Sequence, residues 1–237
     1  VYILFAEMFF AKNAMWAAYS MYVIGLLFAL LLAWILHKMD PGKKSYPLLI
    51  ELPAYNMQSF HTVYIYVWEK VKDFLTKAGT TIFIASILLW IVMHLGPEGY
   101  TENITLSLAA AAGKALAFFL IPCGLGFWQI AVALIAGLSA KEVVVSSTAV
   151  LFGISNITSF GGMQQLHDNL AAIGFGPLNA YCMMLFCLMY IPCAAALATI
   201  KRESGSRLFA LRTAAFQLVT AWAVSALVYQ IGSLLIH

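Results

Sequence analysis

Two stretches of the chain place metal-capable or ionisable side chains inside otherwise apolar sequence. The first is "YIPCAAALATIKRESGS", residues 190 to 206. Pro192 has no N–H to give the carbonyl of Leu188, and its ring clashes there, so a helix through this point opens by about a turn. Irregular backbone at membrane depth persists only where it is buried in protein or lines a cavity. Broken helices are also where transporters coordinate ions and substrates. Cys193 sits beside that opening. Cys182, Met189 and Cys193, spaced seven and four residues apart, are expected to project from one face, with Cys187 pointing elsewhere. Sulfur donors suit transition metals better than Na(+) or Mg(2+). Cys and Met are equally common as packed core residues, so both readings stand.

The second stretch is "GLSAKEVVVSS", residues 137 to 147. An ionisable group near the bilayer centre costs about 2.5–3.5 kcal/mol on insertion scales and needs a partner or a polar cavity. Ser139, Glu142 and Ser146 fall at i, i+3 and i+7, which would give an apolar helix one polar face. Lys141 and Glu142 are adjacent and do not face each other, so Lys141 must reach another partner or snorkel. A transport pathway and a buried ion pair with a neighbouring helix both fit. A second "IPC" at residues 121 to 123 resembles an internal echo of the first. No P-loop, HExxH, GxSxG or CxxC is present, and the five histidines are scattered, so no enzyme signature emerges.

The elements that carry these residues are apolar helices. Of 237 residues, 63% are hydrophobic and 10% charged, far from the roughly 25% charged of a soluble domain. Runs long enough to cross a hydrocarbon core of about 30 Å recur along the chain. The pattern predicts an all-α, polytopic helical membrane protein with Pro-interrupted or re-entrant helices. Spans are expected at about 14–37, 79–96, 104–122, 127–152, 177–200 and 208–235, the third and fourth being alternatively a re-entrant pair. Strand alternation is absent, which argues against a barrel.

Lys and Arg gather at Lys38/Lys43/Lys44, Lys70/Lys72/Lys77 and Lys201/Arg202/Arg207/Arg212, patches expected to be cytoplasmic. Segments 96–103 and 153–176 carry no Lys or Arg and are expected outside. "FHTVYIYVWEKVKDFLTK" has an apolar stripe at helical spacing and reads as an amphipathic helix in the membrane interface, facing lipids or a soluble partner. All four cysteines lie in or beside apolar runs, which argues against a disulfide framework. The chain opens at Val1 inside an apolar stretch, as a piece of something longer would.

With these residues in view, "ELPAYNM", "WEKVKDFLTKAGTTI", "GFWQIAVALIAGLSAKEVVVSS", "YIPCAAALATIKRESGS" and "AWAVSALVYQIG" resemble the C-terminal membrane half of the bacterial ferrous iron transport protein B family. The resemblance runs from about Val1 to Gly232. It implies an Fe(2+) permease of the bacterial inner membrane, multi-pass, containing the second of two Gate elements. The implied organisation is the end of a first Gate and a first span over 1–50, a cytoplasmic segment and interfacial helix over 51–78, the second Gate core over 79–203, and a final span over 204–237. Cys193 matches the family's YxPC cysteine and, with Glu142, would contact the metal. Lys141, Glu142, Ser139, Ser146 and Pro192 would line the pathway. Glu51 and Pro53 match the cytoplasmic ELPxY motif and would serve coupling. GTP and Mg(2+) would bind only a G domain lying N-terminal to this chain.

Implied partners are Fe(2+), membrane lipids, that G domain and first Gate, a small soluble FeoA-like protein and a second copy of the chain; no nucleic acid is implied. Two departures mark the chain. The family's second proline after ELPxY is Gln58 or Ser59 here, and Cys123 stands where the family has no cysteine. A Gate-type permease for a nucleoside or other organic solute is the competing class, and would place aromatic and amide groups, not sulfur, at the helix breaks. A membrane anchor without transport is a third, which would leave the polar stripe and the proline break without purpose.

Overall fold

The computed structural model describes residues 1–39, 59–96, 99–101, 106–138, 141, 143–154, 157 and 159–236. Helix α1 (Tyr2–Phe10) passes through a 3-10 turn (Ala11–Asn13) into α2 (Ala14–Met39). At 1.5 Å per residue α2 is about 39 Å long, enough to cross a bilayer. Helix α3 (Phe60–His94) starts at Ser59, whose hydroxyl accepts the Thr62 N–H at 3.3 Å. The amphipathic stretch and the following apolar run are thus one helix of 35 residues, not a surface helix and a separate span. It ends in a small hairpin, β1 (Leu95–Gly96) with β2 (Gly99–Tyr100), where the His94 ring stacks on Trp90 and Tyr100.

The middle of the chain is built from pieces. Helix α4 (Leu108–Leu120), capped by Ser107, turns through Ile121–Cys123 into α5 (Trp128–Ala136). The bend between them is 101°. Gly124 takes a left-handed φ of 71° at the turn and presses on the Tyr229 ring, where any Cβ would overlap it. Helix α6 (Val143–Leu151) follows. Helix α7 (Phe160–Ala172) and α8 (Pro177–Met189) make a second bent pair, at 107°. Asn179 ties the two bends together: its side chain donates to the Gly124 carbonyl at 2.6 Å and accepts the Gly176 N–H at 3.0 Å. Helix α9 (Ala194–Ser204) and α10 (Arg207–Ile236) complete the chain.

Helix α8 is the axis of the core. Ala180 and every residue from Cys182 to Cys187 are buried, against α10, α1 and α2. Ser225 on α10 donates to the Cys182 carbonyl at 3.1 Å, and Trp222 donates to the Phe119 carbonyl at 2.7 Å. Large apolar side chains on α2 and α10, among them Leu27, Leu30, Trp34, Val219 and Leu227, point outward. In water such faces would be a liability; against lipid tails they are the expected exterior.

Among the described residues, the α1–α2 run and α10 are each long and apolar enough to cross a membrane, and the two bent pairs pass the same test together. The expected third, fourth and fifth spans are each made of shorter helices. At 9 to 13 residues, α4, α5, α6 and α8 reach only about 14–20 Å, so none crosses alone. Segment 153–176, read as an external loop, holds α7, whose Leu166 and Leu170 are fully buried.

Candidate cation pathway at two helix breaks

The break after α8 forms where the proline requires it. Tyr190 makes the last helical bond, N–H to the Phe186 carbonyl at 2.8 Å, and then turns extended with ψ 177°. Residues 190–193 are non-helical, and Cys193 becomes the N-cap of α9. The carbonyls of Cys187 and Leu188 have lost their helical donors: Ile191 has left the helix, and Pro192 has none to offer. Because α8 stops at Met189, Cys193 does not continue the face that carries Cys182. Cys182 is buried in the core, whereas Cys193 is half-buried at the opening.

A second break was not expected. Helix α5 ends at Ala136 and α6 begins at Val143, so Lys141 lies in a turn. Ser139 and Glu142 fall outside the described residues, as do Glu51 and Pro53. Of the three residues assigned to a polar face, Ser146 alone is on a described helix. It is exposed, its hydroxyl donating to the Val143 carbonyl at 3.1 Å.

The two breaks meet. Lys141 Nζ donates to the Cys187 carbonyl at 2.9 Å and lies 3.5 Å from that of Leu188. It also stands 5.0 Å over the Tyr190 ring. Lys141 thus reaches the orphaned last turn of α8, where the helix dipole is negative. Behind it Gly137 packs so tightly that a Cβ would overlap the Tyr190 hydroxyl and Val144. Tyr190 is 3% exposed, and its hydroxyl has no hydrogen-bond partner.

Two cavities flank the α8 end. One, of about 460 Å³, runs between α4, α5 and α10 to Tyr190 and Ile191, and its walls are apolar. The other, of about 300 Å³, lies between α2, α8 and α10; Leu188, Met189, Gln217 and Thr220 line it. There Gln217 Oε1 is buried without a partner. Among the described residues no group of three or more His, Cys, Asp or Glu could hold a metal ion.

The structure thus unites Lys141, Pro192 and Cys193 around one helix end. It adds Gly137, Tyr190 and Gln217, which sequence reading missed. Tyr190 adjoins the Pro–Cys pair, and Gly137 opens the Lys–Glu stretch; proximity to those motifs was the available signal. Gln217 had none beyond being an amide in an apolar run.

Residues 75–207, more than half of the chain, match the family model Gate, described as nucleoside recognition. This chain belongs to the Gate family. Both helix breaks lie inside the Gate match. Residues 18–70 match a second model, the C terminus of ferrous iron transport protein B. That match covers most of α2 and the start of α3.

Similarity to whole proteins runs the length of this Gate chain. It is 35% identical over 236 residues to the Fe(2+) transporter FeoB of Staphylococcus aureus (strain COL), covering 100% of this chain and 34% of that protein. It is 37% identical over 243 residues to the Fe(2+) transporter FeoB of Methanocaldococcus jannaschii, covering 99% and 35%. A fusion of Fe(2+) transport protein A with FeoB from Porphyromonas gingivalis is 30% identical over 275 residues, covering 99% and 32%. The chain therefore spans about a third of the length of these curated relatives. Its matches place it with the C-terminal, Gate-containing part of the ferrous iron transport protein B family. No solved structure gives a significant match.

Proposed function

We propose that the chain is the permease part of an Fe(2+) transporter of the bacterial inner membrane, crossing it several times. The observation that carries this reading is similarity along the entire chain to proteins named as Fe(2+) transporters. A physical reason supports it: a half-helix end adjoins a half-buried thiol, and irregular backbone inside a membrane needs a polar task. Cys193 contacts Fe(2+) in transit, with Glu142 as the charged co-ligand, while Ser139, Ser146 and Pro192 shape the route. Loose, shared coordination suits transport, since an ion held in a closed site cannot leave. Glu51 and Pro53 serve cytoplasmic coupling.

GTP and Mg(2+) act on a G domain outside this chain, and no residue here performs covalent chemistry. A small FeoA-like protein is a partner, a reading supported by the relative in which transport protein A is fused to FeoB. Nucleoside transport is the less favoured reading: the relatives matched along the whole chain are named for iron, and sulfur and a lysine stand at the breaks.

The test is Glu142→Gln in the full-length transporter, with radioactive Fe(2+) uptake measured at matched membrane abundance. Neutralising this carboxylate without changing its shape is expected to abolish uptake and leave insertion intact. Equal uptake by variant and wild type contradicts the pathway role.

A further inference from the structure

Lys141 does something a structural cap need not do. A helix C-terminus is ordinarily finished locally, by a glycine in the left-handed region or by a basic residue of its own last turn. Here the cap comes from a different broken segment, 46 residues earlier in sequence. It brings a full positive charge into an otherwise apolar stretch, and a charge at the centre of a membrane helix costs about 2.5–3.5 kcal/mol. The groups that meet that charge include two backbone carbonyls and the face of an aromatic ring. Carbonyls at a half-helix end, with a negative dipole behind them, are the donor set by which broken helices hold cations in transporters.

We propose that the C-terminal end of α8 is a cation-binding site, occupied at rest by the Lys141 ammonium and, during transport, by Fe(2+). The proposal deepens the permease reading and rests on it for the identity of the cargo. Lys141 is a tethered placeholder: while its ammonium holds the Cys187 and Leu188 carbonyls, no second cation can share them, because like charges at that spacing repel strongly in a low-dielectric setting. A lysine suits the part. Its ammonium is a point charge on a flexible stem, so it can swing away while the backbone stays in place.

The neighbouring cavity supports the same idea. Leu188 and Met189, at the end of α8, line one wall, and Gln217 on α10 presents a buried acceptor without a donor. The cavity, of about 300 Å³, leaves room for a hydrated cation beside the helix end. Fe(2+) arriving from that side would displace the ammonium and then pass to Cys193, beyond the break.

The experiment uses the full-length transporter in proteoliposomes without nucleotide. Lys141→Leu removes the placeholder, and Lys141→Arg keeps a cation there. A closed state whose open form is populated at 10% or less becomes permanently open when its plug is deleted, so nucleotide-independent Fe(2+) flux through Lys141→Leu is expected to rise about tenfold. Lys141→Arg, which keeps a cation at the helix end, should rise several-fold less than Lys141→Leu, and an equal rise in both overturns the proposal. A loss of flux in both variants, or no rise in Lys141→Leu at wild-type abundance, overturns the proposal and leaves Lys141 a cap.

Should Lys141→Leu fail to fold, the wild-type protein decides. Amine-reactive labelling followed by mass spectrometry should show Lys141 more reactive in saturating Fe(2+) than in its absence, and unchanged reactivity refutes displacement. Mn(2+) separates this from the parent reading. If wild type carries no iron yet Mn(2+) still exposes Lys141 to labelling, the cation site stands and the Fe(2+) assignment falls.

Discussion

Helices α8 and α10 lie side by side and both are apolar, yet one is continuous and the other is broken. Helix α10 runs 30 residues from Arg207 to Ile236 without a proline. A polar group within it finds a partner on the neighbouring helix: the Ser225 hydroxyl donates to the Cys182 carbonyl. Helix α8 ends after 13 residues and leaves carbonyls that nothing local can satisfy. Lipid offers no hydrogen bonds, so each interruption creates a debt that another element must meet. At α8 that element is Lys141. A break in a membrane helix is tolerated when a partner is already aimed at it, and the partner's chemistry then sets what the break can bind.

The most severe way to break the comparison is to interrupt the continuous helix. Val219→Pro in α10 would remove the donor to the Ala215 carbonyl without supplying a capping group. An interior proline costs about 3 kcal/mol or more. Folded transporter in detergent, followed by size-exclusion chromatography, should fall to a small fraction of wild type. Normal abundance would mean that breaks in this bundle need no dedicated partner.

A smaller effect is expected from spreading the two breaks apart. Gly137→Val places side-chain atoms where the Tyr190 hydroxyl and Val144 already are. Overpacking of this kind costs about 1–3 kcal/mol, so the melting temperature should drop while the protein still inserts. Because Lys141 would be carried away from the α8 end, the variant should also disturb uptake beyond its loss of abundance. Uptake that simply follows abundance would show that the contact between the breaks is packing alone.

Much of this architecture was legible in residue order. Hydropathy marks α2 and α10, and Pro192 marks the opening that Cys193 adjoins. The second break was hidden because the run from Trp128 to Leu151 stays apolar on both sides of Gly137. Lys141 read as a residue inside one continuous span, whereas α5 stops at Ala136 and Lys141 lies in a turn. Helix α7 was hidden for the opposite reason. Its first turn holds Gly161 and Gly162 and its middle is polar, so the buried Leu166 and Leu170 did not stand out. Between the two halves of α3 no proline intervenes, and a lone Gly79 costs a helix only about 1 kcal/mol, so amphipathic and apolar parts fuse. The partner of Lys141 could not be read at all. Backbone carbonyls have no sequence signature, and their availability depends on a break elsewhere in the chain.

The central claim is that Fe(2+) crosses at the α8–α9 opening in contact with Cys193, and two cysteines six residues apart test it. Cys193→Ser and Cys187→Ser exchange the same atoms, one at the opening and the other 0% exposed in the core. Radioactive Fe(2+) uptake by the full-length transporter, at matched membrane abundance, should fall by about tenfold or more for Cys193→Ser, since a hydroxyl is a poorer donor than sulfur for a transition metal. Cys187→Ser should stay close to wild type, because it is the backbone carbonyl of Cys187, not its thiol, that meets Lys141. Wild-type uptake by both variants, or loss confined to Cys187→Ser, contradicts the account.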